Sequence, residues 1–213
     1  MTSRSVKARR LKSRYDLIGR LSTGKSVLDI GCVGHNLDDA RQSRDPWLHG
    51  FLKKCATRVV GVDMLADDIK RMQSEGYEVH CADAQTMDLG ETFDVIVAGA
   101  VIEHLENPGL FLDNMRKHLK PDGAIVLTTP NPFYTYNQIT IALAGKLDVN
   151  AEHCIWLCPE TMTTLAERSK LQLAEVYTTN YSQFFFRILR LPSVFRQFWA
   201  GTFVFVLRHG NTN

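Results

Sequence analysis

Short runs rich in β-branched and other apolar residues alternate along this chain with longer stretches of helical period, the pattern of successive βαβ units and a parallel sheet. Seven strands are predicted, at Ser26–Ile30, Arg58–Val62, Glu78–Ala82, Phe93–Ala98, Ala124–Thr128, Gln172–Thr178 and Thr202–Leu207. Between them Asp67–Glu75, ahead of Gly76, and Leu110–Leu119 read as helices, the second with Leu112, Met115 and Leu119 at helical spacing and Pro121-Asp122-Gly123 as its stop. Arg14–Leu21 reads as a further helix laid over the ligand-binding edge of the sheet. The stretch Asn131–Glu160 is long for a connection, mixes aromatic and polar residues and is expected at the carboxyl end of the sheet, where open α/β folds bind ligands.

The 213 residues, 45% of them hydrophobic, suffice for one substantial core, so a single domain is expected. A net charge of +2 argues against wholesale nucleic-acid binding, but the charge is uneven. Arg4, Lys7, Arg9, Arg10, Lys12 and Arg14 precede the first acid, Asp16, and no acid follows Glu175. Residues 1–24 are therefore read as a basic arm and covering helix, and residues 25–213 as the main domain, with 131–160 and 180–200 as insertions on the substrate side. The start lacks a continuous apolar secretory core and no stretch is long enough to span a bilayer, which points to the cytoplasm. Residues 184–199, aromatic, cationic and free of acids, suit a peripheral contact with a membrane interface. Five scattered cysteines fit reduced thiols, and His153-Cys154 with Cys158 lacks a second ligand pair at zinc-finger spacing.

The candidate chemistry begins at Val27-Leu28-Asp29-Ile30-Gly31-Cys32-Val33-Gly34-His35, a strand that runs through a carboxylate into a glycine turn. Val33 replaces the second glycine of a dinucleotide fingerprint and Asp29 places negative charge by the turn, so a phosphate is disfavoured and a ligand carrying an ammonium or sulfonium is attracted. Asp63 and Asp83 close the next two strands. The first can accept both hydrogen bonds of a ribose diol, and the second can accept from an adenine amino group while Ala84 offers its N–H.

In this order and spacing the chain resembles the class I S-adenosylmethionine-dependent methyltransferases from about Lys25 to Tyr177. The segments that carry the resemblance are Val27–His35, Val59–Asp63, Cys81–Gln85, Phe93–Val97 through Val101–Leu105, Leu119–Gly123 and Thr129–Pro132. The resemblance implies a Rossmann-like, doubly wound, seven-stranded sheet, mostly parallel with the last strand antiparallel. It implies S-adenosylmethionine as cofactor and S-adenosylhomocysteine as product. Asp29 and Gly31 would hold the methionine end, Asp63 the ribose, and Asp83 with Ala84 the adenine, with Cys32, Gly34, Met64 and Gly99 completing the set. His104 and His153 are the candidate bases for a hydroxyl nucleophile. Glu103, Asn131, Phe133, Tyr134 and Tyr136 are the candidate acceptor contacts. Some family members use a Glu-x-x-Glu-His metal arrangement with a later His; Ala100 stands where its first Glu would be, so no metal is expected.

Methyl transfer to an oxygen, less readily a nitrogen, of a small-molecule, sugar or lipid-linked acceptor is the function expected. The alternatives are an RNA methyltransferase that uses the basic arm and a non-catalytic cofactor-binding subunit that activates a partner enzyme.

Overall fold

The computed structural model describes residues 7–146, 149–181 and 199–210. Eight strands form one sheet: β1 (Arg9–Arg10), β2 (Ser26–Ile30), β3 (Arg58–Asp63), β4 (Val79–Cys81), β5 (Phe93–Gly99), β6 (Leu119–Pro130), β7 (Leu171–Tyr181) and β8 (Ala200–His209). Their spatial order is β1-β7-β8-β6-β5-β2-β3-β4. Every pairing is parallel except those of β8, which runs antiparallel to both β6 and β7. The chain winds outward from β2 through β3 to β4, then returns to β5 on the other side of β2. That reversal between β2 and β5 leaves a crevice beyond their carboxyl ends.

The central strands are apolar on both faces because both are covered. One face, with Val27, Val59, Val95 and Val97, packs against Leu17 and Ile18 of α1 (Arg14–Ser22) and Leu52 of α3 (Leu48–Cys55). The other, with Leu28, Ile96, Ile125 and Phe205, packs against α5 (Pro108–Lys117) and α7 (Pro159–Arg168). A third cluster joins Cys32, Val33 and Leu37, the last on α2 (Leu37–Gln42), to Ile69 and Met72 of α4 (Ala66–Ser74).

The eighth strand corrects the expected count of seven. Arg9–Arg10 lies in the segment read as a basic arm, yet it pairs in parallel with Tyr177 and Thr178 and so edges the sheet far from β2. The helix expected to end at Leu119 ends at Lys117, and Pro121-Asp122-Gly123 falls inside β6, where the register against β5 slips between Phe93 and Val95. The stretch read as one long connection holds α6 (Thr135–Ala144), none of whose residues is buried. Among the described residues no helix is long and apolar enough to cross a membrane. Of the segment 184–199, read as a membrane contact, all but Trp199 lies outside the described residues.

Candidate functional site

β2 ends in a turn that glycine makes possible. Gly31 (φ +75°) and Gly34 (φ +81°) both take left-handed backbone, and the Gly31 N–H donates to the Val62 carbonyl at 2.8 Å, tying the turn to β3. The turn opens into a cavity of about 500 Å³ at the crevice between β2 and β5. Of the expected cofactor contacts, Gly31, Gly34, Asp63, Met64, Asp83, Ala84 and Gly99 all line it. Among the described residues its lining carries four carboxyl side chains, Asp63, Asp83, Glu103 and Glu152, and no lysine or arginine. Such a chamber draws a cationic ligand and repels a polyphosphate.

Asp63 is held by three backbone N–H groups. Its Oδ1 accepts from the N–H groups of Met64 (2.8 Å) and Leu65 (3.2 Å), and its Oδ2 from Val33 N–H (3.0 Å). Asp83 accepts from Gln85 N–H at 2.8 Å. The adjoining loop is anchored by buried Asn114, whose amide donates to the carbonyls of Ala84 (3.0 Å) and Met87 (2.9 Å).

Several expected residues stand outside the lining. Asp29 is fully buried, its Oδ2 lying 3.0 Å from Nδ1 of equally buried His49. Burial pushes the Asp29 carboxyl up, and His49 opposes this. The Cys32 side chain is buried with the α4 cluster, and burial raises its thiol far above the usual range. Asn131 is consumed by backbone: its amide donates to Ala200 O at 2.8 Å and its Oδ1 accepts from Phe133 N–H at 2.9 Å. Phe133 and Tyr136 are exposed, and with the partly buried Tyr134 they sit beyond the cavity wall.

At the other end of the cavity the turn after β5 gathers the candidate bases. Ala100 takes left-handed backbone (φ 56°), with its N–H on the carbonyl and hydroxyl of Thr128, and the 3₁₀ turn Ile102–His104 follows. The insertion folds back on that turn through Cys154 N–H, which donates to Glu103 O at 2.8 Å. The His104 and His153 rings then stand 4.8 Å apart, edge to face. Burial, with the His104 imidazole beside it, holds His153 below the ordinary histidine range. Glu103 is 1% exposed, and among the described residues neither carboxylate oxygen makes a well-formed hydrogen bond, Thr129 and its own backbone lying close by. Burial lifts its carboxyl to about 7, its own backbone and Thr129 offsetting this only in part. Donor atoms of Glu103, His104 and His153 all lie within 4.8 Å of one another.

Sequence reasoning missed four participants. His35, quoted only as the end of the glycine motif, lines the cavity, as do Asn150 and Glu152 of the insertion. Arg14, counted among the arm's charges, begins α1 and brings Nη1 to 4.0 Å from the point a Cβ on Gly99 would occupy. Its hydrogen bond goes to Tyr15 Oη at 3.1 Å, and among the described residues it has no acidic partner. No local pattern distinguished it from its basic neighbours; only the packing of α1 against Gly99 does.

A doubly wound sheet with an acid-lined chamber at its switch point agrees with the resemblance to class I S-adenosylmethionine-dependent methyltransferases. The chain belongs to the family described as "Methyltransferase domain", whose model matches residues 4–176. It is similar to the ubiquinone biosynthesis O-methyltransferase of Nitrobacter winogradskyi, 32% identical over 114 residues that are 51% of this chain and 40% of that protein. The mitochondrial protein of the same description from Mus musculus is 25% identical over 182 residues, 78% of this chain and 46% of that one. The chain thus spans about half the length of these two relatives. Among solved structures, an S-adenosylmethionine-dependent methyltransferase from Archaeoglobus fulgidus superposes with a TM-score of 0.64 at 18% identity, covering 92% of this chain and 94% of that one. The CcbJ methyltransferase from Streptomyces caelestis gives 0.61 at 15% identity, covering 92% and 93%. At these identities the likeness is one of fold.

Proposed function

We propose that this protein transfers the methyl group of S-adenosylmethionine to a hydroxyl oxygen of a small-molecule acceptor. The observation that carries the reading is the cavity itself: carboxylates at the ends of β3 and β4 at one side, and a histidine pair over the turn after β5 at the other. The cofactor supplies a methyl on a sulfonium, displaced in line with a neutral thioether leaving. Asp63 takes the ribose, and the Asp83–Ala84 segment the adenine. Arg14, without an acidic partner among the described residues, takes the carboxylate of the methionine portion beside Gly99. Asp29 draws the ammonium from beneath the turn by its charge. His104 and His153 flank the mouth, and one of them removes the acceptor proton as the oxygen attacks; His153, held neutral, is suited to accept it. The insertion carrying Asn150, Glu152 and His153 walls the chamber, aligning the acceptor and excluding water. The names of the relatives, O-methyltransferases of ubiquinone biosynthesis, support oxygen and a small ring acceptor.

The test is release of S-adenosylhomocysteine when the protein is given the cofactor and a panel of dihydroxylated aromatic acids and phenols. Turnover on one of them is expected, with His104→Ala and His153→Ala variants compared for loss of kcat at unchanged binding of S-adenosylhomocysteine. No turnover on any hydroxylated acceptor, with turnover on amines instead, would overturn the oxygen assignment.

A second reading of the same end of the cavity is favoured by one observation, the buried carboxylate of Glu103 clustered with two imidazoles. These three donors suit a divalent cation, which would polarise the acceptor hydroxyl. Loss of turnover in chelator, restored by one added metal, would establish it; turnover indifferent to chelator leaves histidine as the sole base.

A further inference from the structure

We propose that His49 is a positioning residue of the cofactor site, acting through Asp29. The proposal rests on the cofactor reading given above and adds to it a residue of α3 that touches no ligand.

Asp29 is the penultimate residue of β2, paired with Gly61 of β3 and Val97 of β5, so its side chain is held in the middle of the sheet rather than on a free end. His49, in the first turn of α3, meets it at 3.0 Å, and both side chains are wholly withdrawn from solvent. That one bond leaves two buried polar atoms without partners, Asp29 Oδ1 and His49 Nε2. A buried carboxylate with a free oxygen is costly in a resting core, and this one lies two residues before Gly31, which lines the cavity.

The same stretch of α3 holds the far side of the turn. Trp47, capping the helix, donates its indole N–H to the Cys32 carbonyl at 2.8 Å, and its ring lies 5.5 Å from that of His49. Between them Gly61 supplies the space: a Cβ there would stand 2.9 Å from His49 Cε1 and 2.8 Å from Cys32 Sγ. One short segment, Trp47 to His49, therefore grips the chain on both sides of Gly31, through the Asp29 side chain before it and the Cys32 backbone after it. His49 thereby holds the Asp29 carboxylate beneath the turn, and through it the backbone of Gly31, which lines the cavity.

The test separates the two ends of the ligand. S-adenosylhomocysteine carries the amino-acid portion, and 5′-methylthioadenosine keeps the adenosine and thioether without it. Calorimetric affinities for both are measured on the wild-type protein, His49→Leu, His49→Asn and His49→Gln. Asn presents an N–H where Nδ1 stands, and Gln presents one where Nε2 stands. Leu and Gln are expected to weaken S-adenosylhomocysteine about tenfold and leave 5′-methylthioadenosine within about twofold, with Asn restoring most of the loss. Should His49→Leu fail to fold, the comparison of Asn with Gln decides alone. Equal losses for the two ligands, or Asn no better than Gln, would make His49 a packing residue and overturn the proposal. If the wild-type protein binds neither compound, the cofactor reading itself fails, and the proposal with it.

Discussion

The Asp63 carboxylate accepts a hydrogen bond from the backbone N–H of Val33 at 3.0 Å, so the acid at the end of β3 and the glycine turn after β2 hold each other in place. Together with the Met64 and Leu65 N–H groups on its other oxygen, this bond aims the carboxylate across the mouth of the cavity before any ligand arrives. Asp63→Ala is expected to act twice, lowering the melting temperature of the free protein and removing most of the stabilisation by S-adenosylhomocysteine. In the wild-type protein that stabilisation should reach about 2.7 kcal/mol at roughly 100 times the dissociation constant. Thermal unfolding with and without the compound checks both effects; a full ligand shift in the variant would remove Asp63 from the site.

The two glycines of the turn differ in what surrounds them, and substitutions should show it. Both have left-handed backbone, which costs an alanine about 1 kcal/mol. At Gly34 a Cβ meets nothing within 4 Å, whereas at Gly31 it lands 2.5 Å from Val101 Cγ2 on the cavity wall. Gly34→Ala should therefore lose about 1 kcal/mol and still bind S-adenosylhomocysteine. Gly31→Ala should lose about 2–4 kcal/mol and bind at least tenfold more weakly. Denaturant unfolding and calorimetry on the pair decide it, and equal behaviour would mean Val101 does not crowd the turn.

The mostly parallel sheet and the row of acids that lines the cavity from β3 and β4 were legible in the sequence because both follow from local signals. Val27–Gly31, Val59–Asp63 and Val79–Asp83 each read as an apolar strand ending at an acid or glycine, and the parallel sheet sets those ends in one row. The methionine end was less legible. Asp29 sits on the same kind of strand end, yet pleat parity turns its side chain to the α3 face, where His49, twenty residues later, meets one of its two oxygens. Nothing in the spacing of Asp29 and His49 announces that contact. Asn131 and the aromatic residues after it likewise looked like a substrate wall by composition; the structure spends Asn131 on the start of β8 and leaves the wall to Asn150, Glu152 and His153.

Arg14 offers a prediction that the charge pattern alone could not have raised. Its guanidinium sits against Gly99 without an acidic partner among the described residues, while Arg58, Arg41 and Arg71 are all paired with glutamates. Arg14→Leu should weaken S-adenosylhomocysteine by about tenfold or more, the loss of a charge-assisted contact. Arg14→Lys should recover only part, lacking the planar fork. Binding of 5′-methylthioadenosine, which has no carboxylate, should be unchanged, and a parallel loss there would assign Arg14 to holding α1 on the sheet.

Glu103 links the site to the pH dependence of stability. Its carboxyl is raised from 4.5 to about 7 by burial, so over that interval the folded chain retains a proton that the unfolded chain releases. Its favourable contribution is complete below the unfolded value and is lost as pH rises through the folded one. The folded state therefore loses on the order of 3 kcal/mol from this group between about pH 4.5 and about pH 7. Glu103→Gln, which imitates the protonated form, should match the wild-type protein in denaturant unfolding near about pH 4.5 and exceed it by about 3 kcal/mol near about pH 8. The same variant separates the two readings of the acceptor end. A divalent cation bound by Glu103, His104 and His153 would pull the carboxyl back down, so added metal should stabilise the wild-type protein at the higher pH and leave Glu103→Gln unmoved. If added metal moves neither protein, the buried carboxyl serves the histidines alone, and its proton is the one the acceptor chemistry must reckon with.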